Sequence, residues 1–365
     1  MDVDRFSKEG ALDMKKKVLM GFLIIALATL FLNSLPGCES PEKYQNLPEG
    51  KSYTPPGQTS KEIEMKWAEI KKSDNTIWIS EEWEKPVNLG SPVNTLGWED
   101  SASISPDGNV LSFTYMRLDP LAYIHFGKRV RVHGPPRLGW PKTEPFDSFG
   151  ADIYIVKKVN GVWQEPQPVG PPVNLPETAD GDQWLSVDEN RIYFNSAEGN
   201  RAKGIYFAER KNNNSPWHTL KYLNKHINSG REDENPYLSA DERFLYFESA
   251  RPGGMGGKDL YVSEEVNGEW QTPKNLGPKI NTKEDEVQPF ISLDGKILLF
   301  SRNQMIYRSR KMPDSSWSTP EVIVRGHVGE PTLTESGDLY FVHVYIQENK
   351  EFDCDIMMAK AKRSR

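Results

Sequence analysis

Glu234-Asn-Pro-Tyr-Leu-Ser-Ala-Asp241 is followed by the apolar run Phe244-Leu-Tyr-Phe247, then Asp259-Leu-Tyr261, then Trp270-Gln-Thr-Pro273 and Asn275-Leu-Gly277. Each piece is too short for a helix and is bounded by turn residues, so the stretch reads as four short strands. The same arrangement returns along the chain with a period of about fifty residues.

The copies align on the turn after the first strand. Ala102-Ser-Ile-Ser105 leads to Pro106-Asp-Gly108, and Trp184-Leu-Ser186 to Asp188-Glu189. Pro236-Tyr-Leu-Ser239 leads to Asp241-Glu242, Pro289-Phe-Ile-Ser292 to Asp294-Gly295, and Pro331-Thr-Leu-Thr334 to Ser336-Gly-Asp338. Asp-Gly between apolar runs makes a hairpin turn, because Gly takes positive φ at little cost and Asp bonds the backbone ahead of it. Second strands follow at Val110 to Tyr115, Ile192 to Ser196, Phe244 to Ser249, Ile297 to Ser301 and Leu339 to Val344. Continuous apolar runs of this length suit strands buried on both faces. Third strands fall at Asp152-Ile-Tyr154, Gly204-Ile-Tyr206, Asp259-Leu-Tyr261, Met305-Ile-Tyr307 and Asp355-Ile-Met357, and Trp163, Trp217, Trp270 and Trp317 mark the fourth. Small four-stranded sheets stacked face to face are the architecture of a β-propeller.

A fifth such tryptophan stands before the first copy, in Trp83-Glu-Lys-Pro86 and Asn88-Leu-Gly90, while the last copy stops after its third strand. The expectation is an all-β, five-bladed propeller whose N-terminal strand completes the last blade and leaves no open edge between the first and last blades. Six blades would need a copy that the sequence does not show. The Ser-x-Asp-Gly turns and the Asp-Leu-Tyr strand resemble the WD40-like repeat of the TolB type, over roughly residues 78 to 363. That resemblance implies a bacterial envelope protein that works through protein–protein contact. The second and fifth copies depart from it at Asp188-Glu189 and Ser336-Gly-Asp338.

Lys15-Lys16-Lys17, the apolar run Val18 to Leu32 and Leu35-Pro36-Gly37-Cys38 read as an export signal. The cysteine after the junction resembles a bacterial lipoprotein signal, with Cys38 lipidated and Met14 as an alternative start. The division expected is a signal over 1–37, a tether over 38–75 and the propeller over 76–365. Such a protein would belong to the bacterial envelope as an outer-membrane lipoprotein facing the periplasm or the surface, and it would be a monomer. Only two cysteines exist, so acylation of Cys38 leaves Cys354 alone and the fold must rest on its core. A net charge of −7 argues against a nucleic-acid partner.

Acids recur just before each first strand: Asp100, Asp182, Asp233 with Glu234, Asp285 with Glu286, and Glu330. The expectation places them as a ring at the channel mouth. Converging carboxylates can hold Ca²⁺ through oxygen ligands or serve as acid and base on a glycosidic bond. An acid that recurs with a repeat is better explained as capping its own turn, since a catalytic pair should break the symmetry of the repeat. No cofactor is expected apart from such a Ca²⁺. The strongest asymmetry is the insertion at residues 117–149, with Tyr123, His125, Phe126, Lys128, Arg129, Arg131, His133, Arg137 and Trp140. Its basic and aromatic side chains suit an acidic sugar or an acidic protein patch, and a loop that merely covers a blade is the alternative. Arg251-Pro-Gly-Gly-Met-Gly-Gly-Lys258 lacks the order of a phosphate loop. No Gly-x-Ser-x-Gly or His-Glu-x-x-His occurs, and the six histidines are scattered. Together these point to a binding scaffold for an envelope protein or glycan, with a glycan-active enzyme as the alternative.

Overall fold

The computed structural model describes residues 69, 71–72, 74–95, 97–116, 151–175, 178–197, 201–346 and 352–362. The fold is all-β. Five antiparallel units follow the repeat, each built outward from its first strand. They begin at Trp98–Ile104, Ala179–Leu185, Asp233–Leu238, Val287–Ile291 and Val328–Leu333. Their second strands are Val110–Met116, Arg191–Ala197, Phe244–Ser249, Ile297–Arg302 and Leu339–Ile346. Their third strands are Ala151–Val159, Gly204–Glu209, Asp259–Val266, Met305–Arg310 and Phe352–Ala359. The fourth positions differ from the sequence reading in detail. Trp163 and Trp270 close a terminal hairpin with the third strand, at Lys158↔Trp163 and Glu265↔Trp270, and the outer strand proper follows at Gln167–Pro168 and Lys274–Asn275.

The first strands neighbour one another in sheet order, and that of the fifth sheet lies against that of the first. A single parallel bridge, Cys354↔Trp98, also joins the fifth sheet to the first. The core sits between sheets. Ile192 and Phe194 of one strand face Ile153 of the first sheet, while Tyr193 between them joins Phe247 and Tyr261 of the third. That alternation is why the second strands are apolar at successive positions: each buries both faces. Leu298 and Phe300 pack with Leu260 between the third and fourth sheets, and Leu299 with Phe341 between the fourth and fifth.

The N-terminal segment serves two sheets. Trp78–Ile79 pairs with Arg325 and Val324 at the outer edge of the fourth. Val87–Asn88 pairs with Met358 and Met357 of the fifth, and Trp83 bridges Ala361. Lys71 and Asp74, which a boundary at residue 76 leaves in the tether, already contact the fifth sheet. Lys71 Nζ lies 2.8 Å from Asp353 and 2.6 Å from Asp355, and Asp74 lies 2.6 Å from His343 Nε2. No helix among the described residues is long and apolar enough to cross a membrane.

Candidate functional site

Each first strand carries a bulge, and the residue at it has positive φ: Ser101, Asp182, Asn235, Gln288 and Glu330. The bulge turns these polar side chains toward the axis. Together they surround a space of about 40 Å³, room for about one small group. The residue just before is Asp100, Gly181, Glu234, Val287 or Gly329. The glycines fit because a Cβ there would lie 2.7 Å from Thr114 Oγ1 or 2.8 Å from Gln288 Oε1 of the preceding sheet.

The expected single ring of acids is therefore divided among several positions, because the alignment that produced it slips across the bulge. Asp182 and Glu330 occupy the bulge, and Asp100 and Glu234 the position before it. Asp233 and Glu286 lie one residue further back, level with Glu99 and Asp180, which the sequence reading missed. These four carboxylates bond the turn that precedes them. Glu99 accepts from Thr95 Oγ1 at 2.6 Å, Asp233 from Ser229 N at 2.7 Å and Glu286 from Thr282 N at 2.8 Å. Three also pair with an arginine of their own sheet: Asp180 with Arg201, Asp233 with Arg251 and Glu286 with Arg302. Burial raises Asp180 to about 6 against the attraction of Arg201. Asp285 lies off the axis and accepts the Lys258 backbone N–H at 2.8 Å.

The bulge residues link sheet to sheet. Asn195 Oδ1 accepts Asn235 N at 3.0 Å, Glu248 Oε2 accepts Gln288 N at 2.8 Å, and Gln288 Oε1 accepts Glu330 N at 2.9 Å. Glu330 in turn accepts Ser101 N. Between the first and second sheets the bond changes: Ser101 Oγ donates to Asp182 Oδ1 at 2.8 Å, and Gln183 Nε2 donates to Ser101 O at 2.6 Å.

Burial dominates the electrostatics here. It raises Glu330 well above the usual carboxylate range, and Asp100, which is hydrogen-bonded to it, and Asp182 add to the effect. Burial raises Asp100 likewise, and the two carboxyls titrate as an interacting pair. Asp182 is raised by burial and then by Glu234, and its Oδ2 has no hydrogen-bond partner. Glu234 instead meets Lys258 at 2.6 Å and Lys203 at 3.0 Å, and Lys258 also holds Glu248 at 2.9 Å. Among the described residues no group of three or more His, Cys, Asp or Glu is arranged to hold a metal ion. Cys38 and the insertion residues Tyr123, His125, Phe126, Lys128, Arg129, Arg131, His133, Arg137 and Trp140 lie outside the described residues.

The first strands end at a second concavity, which the sequence reading missed. A funnel of about 650 Å³ opens among the hairpin turns, walled by Trp184, Tyr237 and Phe290 and rimmed by Val187 and Leu293. The available signal was the aromatic residue two places after the bulge in the second, third and fourth copies, which reads equally as core.

No protein-family model matches the chain, and no curated protein does. Among solved structures, the chain is similar to TolB from Acinetobacter baumannii, at 14% identity and a TM-score of 0.42, over 78% of this chain and 66% of that one. The chain thus spans slightly under two thirds of the TolB length. It is also similar to a protein of unknown function from Dyadobacter fermentans, at 11% identity and a TM-score of 0.43, over 79% of this chain and 100% of that one. An oligogalacturonate lyase from Vibrio parahaemolyticus is similar at 12% identity and a TM-score of 0.35, over 78% of this chain and 68% of that one.

Proposed function

We propose that this chain is a five-bladed β-propeller of the bacterial envelope, anchored through a lipid on Cys38, that acts by binding a protein or glycan partner rather than by catalysis. The cyclic order of the first strands and the pairing of Val87–Asn88 with the fifth sheet support five blades closed by the N-terminal segment. One observation carries the binding reading: the recurrent acids are engaged in holding the fold, Asp182 through one of its two oxygens. Asp233 and Glu286 bond their own turns, Glu330 joins sheets, and Glu234 is neutralised by two lysines. A hydrolytic pair needs one free nucleophile or base and one proton donor facing a sugar-sized space. The bulge residues enclose only about 40 Å³.

The test is turnover of a glycan panel by the lipidated protein, beside Asp182→Asn, Glu234→Gln and Glu286→Gln. No turnover, with a partner retained from envelope extract, is the expected result. Hydrolysis that Asp182→Asn abolishes would replace this reading with the glycan-active one. For the anchor, Cys38→Ala should leave the membrane fraction, and a variant that stays there rules lipidation out.

A further inference from the structure

We infer that the funnel at the turn end of the first strands docks a segment of a partner protein that presents an apolar side chain flanked by lysine or arginine. The inference rests on the binding reading above and names the chemistry of its partner.

The volume of about 650 Å³ falls within the range that takes ligands or anchoring side chains. Its wall is aromatic. Tyr237 and Phe290 meet with ring centroids 4.9 Å apart, and Trp184 stands beside them. Its rim is apolar where folding does not ask for it. Val187 and Leu293 occupy the turn position between Ser and Asp, where other copies have Pro106, Ala240 and Glu335. They are 68% and 45% exposed, so their side chains add little to the core.

Charge selects the occupant. Asp188, Glu189, Glu242, Asp294 and Glu335 line the funnel. Arg191, the single cation among the lining residues, pairs with Glu242 at 2.8 Å, and Lys157 pairs with Glu189 at 2.7 Å. The exposed Lys296 lies 3.7 Å from Asp294, so the net negative charge of the rim rests on Asp188, Asp294 and Glu335. Hydrogen bonding within the turns holds Asp294 below the usual carboxylate range, and Asp188 lies below it as well despite its partial burial, so both stay charged at neutral pH. Carboxylates around an apolar floor concentrate cations at the mouth. An acidic partner is repelled, and a second copy of this chain, at a net charge of −7, brings like charge to like. A neutral glycan gains nothing from the rim.

The experiment is fluorescence anisotropy of the full chain with a short labelled peptide, one tryptophan between lysines, against the same peptide with glutamates. Saturable binding of the lysine peptide, tighter by roughly tenfold or more, is expected. Val187→Ser with Leu293→Ser should weaken it by about tenfold through lost apolar contact, and Glu335→Lys should weaken it and flatten its salt dependence. All three residues are exposed, so unchanged thermal unfolding shows that the variants fold. Equal binding of both peptides, binding of neither, or unchanged affinity in the variants overturns the inference. Binding of neither by a protein that also turns over no glycan leaves the scaffold reading standing, whereas glycan turnover overturns that reading itself.

Discussion

The side chain of Glu330, in the last sheet, accepts the backbone N–H of Ser101, in the first. The bond joins the two ends of the sheet order beside the axis, through a carboxyl that burial and Asp100 keep protonated far above the usual range. The same group is thus a structural link and a titrating site.

Glu330→Gln keeps the acceptor and removes the titration, whereas Glu330→Ala strands a buried N–H and should cost about 1–3 kcal/mol. The sign for pH follows from the raised pKa. The unfolded chain releases its proton near pH 4 and the folded chain holds it, so stability falls as pH rises from about 4 through the folded value. Thermal unfolding of Glu330→Gln should therefore depend less on pH above about 5 than that of the unaltered protein. An identical slope would mean that Glu330 is already ionised in the folded state.

A second repeated device ties an outer turn to the third strand in four of the five sheets. Asn281 donates to Leu260 O and accepts Leu260 N, both at 2.9 Å. Asn174 does this with Ile153, Asn228 with Ile205, and Asn94 with Ile356. Alanine at Asn281 leaves the buried Leu260 N–H unpaired, while Leu276 N still donates to Leu260 O at 3.0 Å, and should lower stability by about 1–3 kcal/mol. Asn94→Ala should cost a similar amount, because it clamps the N-terminal segment to the fifth sheet with the same two bonds. Denaturant unfolding of the two variants compares them directly. A much smaller loss at Asn94 would count against closure by this segment.

The strands were legible because their apolar runs, turns and tryptophans recur, and the outlying Trp83 was enough to place Val87–Asn88 on the last sheet. The acids were not legible at the right depth. A bulge adds one residue to a strand, so Asp182 and Asp233 take different positions although each precedes an apolar stretch. The funnel escaped for another reason: Trp184, Tyr237 and Phe290 are the residues that a core would also choose. Only their placement at the ends of three neighbouring first strands makes them a wall.

Asp74 titrates in the opposite sense to Glu330. Burial raises its carboxyl, but hydrogen bonds from His343 and Thr76 outweigh this and bring it down to about 2. Its stabilisation is complete above the unfolded value near 4 and is lost as pH falls from about 4 to about 2. His327 is pushed to about 4 by burial and by His343, so its contribution is present above about 6.5 and is lost as pH falls toward 4. Asp74→Asn should flatten the part of the stability profile below about pH 4 that Asp74 itself supplies. It should keep the fall that begins at about 6.5, carrying it to lower pH because Asp74 no longer attracts the charged His327. Loss of the upper segment in that variant would show that the two sites titrate as one.

Two tryptophans of the N-terminal segment separate packing from mere pairing. Trp83 is buried, donates through Nε1 to Gly337 O at 2.9 Å and has the Arg308 guanidinium 5.5 Å from its ring centroid. It packs in the cluster of Leu339, Phe341 and Met357, between the fourth and fifth sheets. Trp78 is half exposed, with Arg325 over its ring at 5.1 Å. Trp83→Ala opens a cavity that the flanking strands cannot collapse to fill, and should cost about 3–5 kcal/mol. Trp78→Ala leaves the backbone pairs to Arg325 and Val324 in place and should cost under about 1 kcal/mol. Urea unfolding of both variants gives the difference directly. Equal losses would mean that the segment is held by its strand pairs alone and that the buried indole adds nothing to closure.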